Sequence, residues 1–236
     1  MNALIAAVRL DLLLQWRYGF FYAAIFSVLL WEAAIVVLPD GLLGPAMPYL
    51  IFGDLAIVGF FFIVGAVFFE RGERTLFANL VTPMRFGHYL GAKLATLTGL
   101  SIVLSLVIVL SGVGFDFSVP VLLGAVVMCA LIFLLAGFIS ATPFTSISDW
   151  FIPSTVVIAV LNIPLIDYSG LWQHPLMYLV PTHGSLLMLG AAFDQVTLDP
   201  WQWWYAIGYQ LASIAALSWV ARRAFERFIV NREGTA

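Results

Sequence analysis

The ten Lys and Arg residues of this chain fall in three places, and that placement restricts its architecture more than any other feature. They are Arg9 and Arg17; Arg71, Arg74, Arg85 and Lys93; and Arg222, Arg223, Arg227 and Arg232. Between these groups the sequence is almost continuously apolar: 63% of the 236 residues are hydrophobic and 10% are charged, with a mean hydropathy of +1.04. No water-soluble domain of this size needs so much apolar surface, so the chain is read as an all-α integral membrane protein with the bilayer as its solvent. The net charge of -3 matters less than where the charges sit.

The apolar runs predict six spans, at about Tyr18–Leu38, Pro48–Phe69, from after Pro83 to Ser111, Val119–Ile139, Trp150–Ile166 and Gln202–Ala221. The first begins only after Arg17 and is too long for a signal-peptide core, so it is expected to be retained. Pro39-Asp40-Gly41 ends it. The fifth barely crosses a ~30 Å core at ~1.5 Å per residue, and Pro153 and Pro164 near its ends could kink it. Residues from His174 to Phe193 are apolar enough for a seventh span, but Pro181 and the following Thr-His-Gly interrupt them. With six spans and the N-terminus inside, every basic residue lies on the cytoplasmic side, while Asp40, Asp116, Asp167, Asp194 and Asp199 lie outside. A seventh span would place the last four arginines outside. Residues 167–200 are therefore expected to form a re-entrant pair of short helices in the outer leaflet.

Tryptophans and tyrosines fit these borders, with Trp201, Trp203, Trp204 and Tyr205 at an outer end and Trp16, Tyr18, Tyr89, Trp150 and Trp219 near inner ends. Gly87, Gly91, Ala95 and Gly99 recur every fourth residue and predict a smooth stripe for close helix packing. Residues 1–17 have poor amphipathicity: Arg9 and Arg17 lie within a quarter-turn of each other, with Asp11 and Gln15 on the far side. No internal repeat or second domain is visible, so 1–236 is read as a single transmembrane domain.

The longest polar interruption is ERGERTLFANLVTPMRFGHYLGAKL, from Glu70 to Leu94. By the positive-inside rule it is cytoplasmic. Leu76, Phe77 and Leu80 share one face of a short helix, and Thr82-Pro83 reads as a cap followed by proline at a first helical position. An ordinary basic loop is the plainer reading of the same residues. The stretch resembles the coupling loop of type-2 ABC exporter permeases, which lies between their second and third membrane helices. The matching positions are Glu70, Thr75, Leu76, Leu80, Thr82, Pro83 and Lys93; Arg74 stands where that family usually has glycine, and Gly72 lies two residues earlier. The resemblance extends by topology over nearly the whole chain, and in size the chain is similar to small bacterial drug-export permeases, including those named for fluoroquinolone export.

That resemblance implies an interfacial helix at 1–17, a coupling loop at 70–83 and a re-entrant segment between the fifth and sixth spans. It also implies a cytoplasmic ATP-binding cassette partner carrying ATP and Mg, a second permease chain as homodimer or heterodimer, and residence in a prokaryotic inner membrane with both termini cytoplasmic. Glu70, Glu73, Arg74, Leu76, Phe77, Leu80, Thr82 and Pro83 are the expected partner-binding residues. The second and fifth spans are implied along the translocation path, which makes Phe61, Phe62 and Asn162 candidate contacts.

The chain itself has no phosphate-binding loop: Lys93, its sole lysine, lacks the glycine spacing and the following Ser or Thr. It is therefore expected to be no enzyme and to carry no cofactor or metal, with hydrolysis on another subunit; nothing in it suggests nucleic-acid binding. Phenylalanine-rich spans with few polar groups suit an apolar or amphipathic cargo such as a drug, antibiotic or lipid. A passive channel or secondary transporter is the rival reading, although buried ionisable residues at mid-membrane and internal repeats are not evident. An intramembrane protease is a further alternative, weakened because His88, His174 and His183 do not converge with acids and Ser185 has no histidine on a neighbouring span. Glu32 and Asp54 fall within spans at similar depth; both readings stand, a wet outer vestibule or simple hydration at the interface. Cys129 reads as a small core residue.

Overall fold

The computed structural model describes residues 3–73 and 86–230. The apolar runs fold into helices, and no strand occurs among the described residues. In order these are α1 (Ala3–Arg17), α2 (Phe20–Val37) and α3 (Asp40–Leu55), which continues through a π-helical turn (Ala56–Phe61) into α4 (Phe62–Gly72). Then come α5 (Phe86–Val113), α6 (Val119–Ala141), and α7 (Ile147–Asn162) running into the short α8 (Pro164–Tyr168). A 3₁₀ turn (Pro175–Leu179) precedes α9 (Thr182–Ala192). The chain closes with α10 (Pro200–Trp204), a π turn (Tyr205–Tyr209), α11 (Gln210–Phe225) and a π turn (Glu226–Val230).

Among the described residues, five helices are long and apolar enough to cross a membrane: Phe20–Val37, Gly41–Gly72, Phe86–Val113, Val119–Ala141 and Ile147–Tyr168. The expected sixth falls within the consecutive helical segments from Pro200 to Val230 and is not among the five. The second helix starts earlier than expected. Pro39 takes its N-cap in an extended conformation that suits the proline ring, and Pro45 and Pro48 lie inside the helix. Between His174 and Phe193 the longest helix is α9, whose 11 residues reach only about 16 Å at ~1.5 Å each.

Helix α6 is apolar on every side except Ser140, and it occupies the centre of the bundle. It touches α4, the π turn after α3, α5, α7, α9 and α11, and Leu122, Ala125, Cys129, Phe133 and Phe138 have no exposed surface. Close approach to the π turn requires glycine. A Cβ on Gly137 would lie 2.6 Å from the Phe60 carbonyl oxygen, and one on Gly59 would lie 2.9 Å from Phe133 Cβ. The outward faces of α2 and α7 are apolar and exposed, through Tyr22, Phe26, Val36, Phe151, Ile152 and Val156, as helices facing lipid require.

Among the described residues the expected glycine stripe makes no close helix contact: Gly87 and Gly99 meet nothing within 4 Å, and Gly91 meets Leu4 at 3.9 Å. Ala95 and Gly99 instead face an open apolar groove between α1, α2 and α5. Two expected border aromatics are core residues, since Trp150 stacks on Phe60 at 5.9 Å and Tyr89 faces Phe225 at 5.8 Å, both rings buried. At the break between α7 and α8, Pro164 has no N–H to give. The Val160 carbonyl, four residues earlier, accepts from the Ile163 N–H at 3.3 Å instead, and the Thr182 hydroxyl of α9 donates to the neighbouring Leu161 carbonyl at 2.6 Å, which ties α9 to the kink.

Candidate functional site

Helix α4 ends in Glu70-Arg71-Gly72-Glu73, the root of the 70–83 loop. At ~100° per residue Arg71 leaves the helix well away from Glu70, whereas Glu73, three residues on, returns to within about 60° of it, one turn further along.

Glu70 points inward and is 1% exposed. Its Oε1 accepts from Lys93 Nζ, and its Oε2 accepts from Tyr89 OH at 2.7 Å. Tyr89 and Lys93 are four residues apart on α5 and so share a face. On α1, Asp11 and Gln15 have the same spacing and the same inward orientation, at 5% and 2% exposure. Lys93 Nζ also donates to Asp11 Oδ1 at 2.9 Å. Gln15 Nε2 and Thr96 Oγ1 both donate to Asp11 Oδ2. All four carboxylate oxygens thus accept a hydrogen bond, around one ammonium that is itself 2% exposed. A buried charge is tolerated only with such partners.

Arg71 crosses to the C-terminal end of α6, where its guanidinium donates to the Thr142 carbonyl at 2.8 Å and to the Phe144 carbonyl. Carbonyls at a helix end lack intrahelical partners and carry partial negative charge, so a cation suits them. Glu73 is exposed and accepts from Arg17 and Tyr18, each at 3.1 Å, at the junction of α1 and α2. The end of α4 is therefore held on three sides.

This geometry changes the expected docking set. Glu70 is enclosed within the chain by α1 and α5 and does not present itself to a partner. Glu73 is exposed but engaged with Arg17 and Tyr18. Arg74, Leu76, Phe77, Leu80, Thr82 and Pro83 lie outside the described residues. On α1 the polar stripe of Asp11 and Gln15 faces the bundle, while Ile5, Leu13 and Trp16 are exposed.

The candidate path residues do not gather in one place. Asp54 has no exposed surface, which removes both the vestibule and the hydrated-border readings for it. It lies on the α3 face turned to α2, where Ser27 and Trp31, one helical turn apart, donate to its Oδ1 at 2.7 and 3.0 Å. Glu32, next to Trp31, turns instead to α5 and accepts from the exposed Ser111 hydroxyl. Phe61 is partly exposed with its ring 6.0 Å from that of Trp150, whereas Phe62 is buried 5.3 Å from Phe20. Asn162 donates to the Ile158 carbonyl of its own helix at 2.7 Å. As for the protease alternative, the buried Ser185 hydroxyl donates to Gln210, and no three His, Cys, Asp or Glu side chains gather as a metal site among the described residues.

Sequence reasoning missed the Lys93 cluster. The signal was present: a lone lysine inside an apolar helix requires buried acids, and Asp11 with Gln15 forms a polar stripe at helical spacing.

Several long apolar helices around a buried centre, with lipid-suited outer faces, define a multi-pass helical membrane protein. The chain belongs to the fluoroquinolones export permease protein family, whose match covers residues 2–233. It is similar to proteins named fluoroquinolones export permease from two strains of Mycobacterium tuberculosis, each 45% identical over 235 residues and 99% of both chains. No solved structure matches it.

Proposed function

We propose that this chain is the membrane subunit of an ATP-driven ABC exporter that carries an apolar or amphipathic drug outward across the cytoplasmic membrane of a prokaryote. ATP and Mg reside on a separate cytoplasmic subunit. The observation that carries this reading is the 45% identity, over 99% of both chains, to permeases named for fluoroquinolone export.

In this reading the transmembrane domain has six spans with both termini cytoplasmic and a re-entrant segment at 167–200. The one-sided placement of the basic residues and the shortness of α9 support it. The 70–83 loop docks the ATPase, with Leu76, Phe77 and Leu80 in a groove, Glu73 and Arg74 at the rim, and Thr82-Pro83 capping the next helix. Its support is the three-sided grip on the loop's root. A second permease chain completes the path, which accords with candidate path residues that do not converge within one chain.

The test is accumulation of a fluorescent fluoroquinolone in an efflux-deficient host. The chain is expressed alone, with a co-expressed ATP-binding cassette ATPase, and with that ATPase made hydrolysis-deficient. Lowered accumulation with the active ATPase alone is expected. Export by the permease alone, abolished by a protonophore, would establish the secondary-transporter alternative instead.

A further inference from the structure

The end of the bundle away from the loop root holds a cavity of 1110 Å³. Helix α7 starts near the carbonyls that Arg71 grips, and α8 ends at Tyr168 beside this cavity. The Ser118 N–H donates to the Ala192 carbonyl at 2.8 Å, which brings the start of α6 and the end of α9 to the same end. Gln195 closes the cavity against α3 by donating to the Gly44 carbonyl.

Its wall is aromatic. Tyr178 lies 5.0 Å from Tyr205 and 5.8 Å from Trp201, ring centre to ring centre, and Tyr49 meets Tyr168 edge-on at 5.3 Å. The Tyr205 hydroxyl donates to the Tyr178 carbonyl at 2.8 Å, which fixes that pair. One carboxylate joins them. Asp167 accepts from the His174 N–H at 3.1 Å and from His183 Nε2 at 2.9 Å, and its side chain stays 16% exposed. His183 is 1% exposed and its Nδ1 has no partner among the described residues. Among the described residues that line the cavity there is one carboxylate, Asp167, and no Lys or Arg.

We infer that this cavity binds an organic cation carrying a flat ring system, with the charge facing Asp167 and the ring among Tyr178, Trp201 and Tyr205. Electron-rich ring faces and a carboxylate in a cavity lined by no Lys or Arg among the described residues attract a cation together. Drug-sized sites typically occupy about 300–1,000 Å³, so this volume admits a fused-ring ligand and exceeds what a bare ammonium headgroup fills. The inference deepens the export reading by naming a substrate class, and rests on that reading only for the cavity's role in transport. A lipid headgroup shares the cationic chemistry, and the experiment separates the two sources.

The full-length chain is placed in phospholipid nanodiscs without any ATPase and titrated with ethidium, a flat aromatic cation. Fluorescence in excess of empty nanodiscs reports binding. Saturable binding is expected, weakened about tenfold or more in Asp167→Asn and in Trp201→Leu. Proflavine should displace the probe and choline should not. Trp201 is 56% exposed and makes no hydrogen bond to Asp167, so its variant decides the matter if Asp167→Asn fails to fold. Unchanged ethidium affinity in the folded variants would overturn the site, and displacement by choline as readily as by proflavine would assign it to a headgroup cation. Because no ATPase is present, failure here leaves the export reading standing, and failure of ATP coupling leaves this result standing.

Discussion

Replacing Lys93 with methionine keeps most of the lysine stem and removes the ammonium that joins α1, α4 and α5. The carboxylate of Asp11 lies 2.9 Å from that nitrogen. At an effective permittivity of about 20, one such contact is worth roughly 6 kcal/mol of Coulomb energy, and the Glu70 contact adds a comparable amount. Burying three charged groups offsets most of this, and breaking a buried pair by removing one partner typically costs about 3–5 kcal/mol. Lys93→Met is therefore expected to destabilise the chain by about 3–5 kcal/mol, because two buried carboxylates then face each other. Glu70→Gln should cost only about 1 kcal/mol: its amide oxygen still accepts from Lys93, and its amide N–H can reach the Tyr89 hydroxyl. The triple variant Lys93→Met/Asp11→Asn/Glu70→Gln removes every charge and should recover to within about 2 kcal/mol of wild type. Unfolding in mixed micelles of SDS and a mild detergent, followed by fluorescence of the chain's 8 tryptophans, ranks the variants. If Lys93→Met unfolds at the wild-type SDS fraction, or the triple variant is no better than Lys93→Met alone, the cluster does not hold these helices as argued.

Three further outcomes are expected. Gly137→Ala puts a methyl group 2.6 Å from the Phe60 carbonyl and should cost about 1–3 kcal/mol in the same unfolding assay, while Gly99→Ala, with nothing within 4 Å, should be near neutral. Thr182→Val removes the hydroxyl that satisfies the Leu161 carbonyl at the α7–α8 kink; a loss of about 1–3 kcal/mol is expected, and wild-type stability would show that the carbonyl finds another donor. In co-purification with the ATPase, a Leu76→Ala/Phe77→Ala double variant should lose binding far more than Arg74→Ala, since rim charges contribute only about 0–1 kcal/mol; wild-type co-purification and transport by the double variant would remove this loop as the docking element.

Helix class and most helix positions were legible because apolar length is a direct consequence of membrane solvation. Val119–Ala141 starts where its apolar run starts, and Phe20–Val37 lies inside the expected Tyr18–Leu38. What escaped was the direction in which side chains point. Asp11 and Gln15 registered only as polar residues on the side away from Arg9 and Arg17, which made the helix look poorly amphipathic. Here the exposed side of α1 carries Leu, Ile and Trp, and the polar stripe meets a lysine on α5, four helices further along the chain. Spacing within one helix cannot reveal that meeting, which depends on how α1 folds back over α5. Asp54 escaped for a similar reason: its depth in the bilayer follows from counting residues, but its burial depends on Ser27 and Trp31 of the neighbouring helix.

The root of the 70–83 loop joins these two lessons. The run Glu70-Arg71-Gly72-Glu73 looks like a polar border when read as a string. In the fold Glu70 instead enters the bundle, Arg71 crosses to the carbonyl end of α6, and Glu73, one turn beyond Glu70, meets Arg17 and Tyr18. The buried contact is the one with no route to water, so it constrains α4 most strongly; the exposed Arg17–Glu73 pair contributes at most about 1 kcal/mol. It follows that charge removal at Glu73 and charge removal at Lys93 are different experiments. The first leaves α4 seated and alters only an exposed residue at the loop's root. The second loosens α1 and α5 from α4 together, and any loss of function it causes has to be read against the stability it removes.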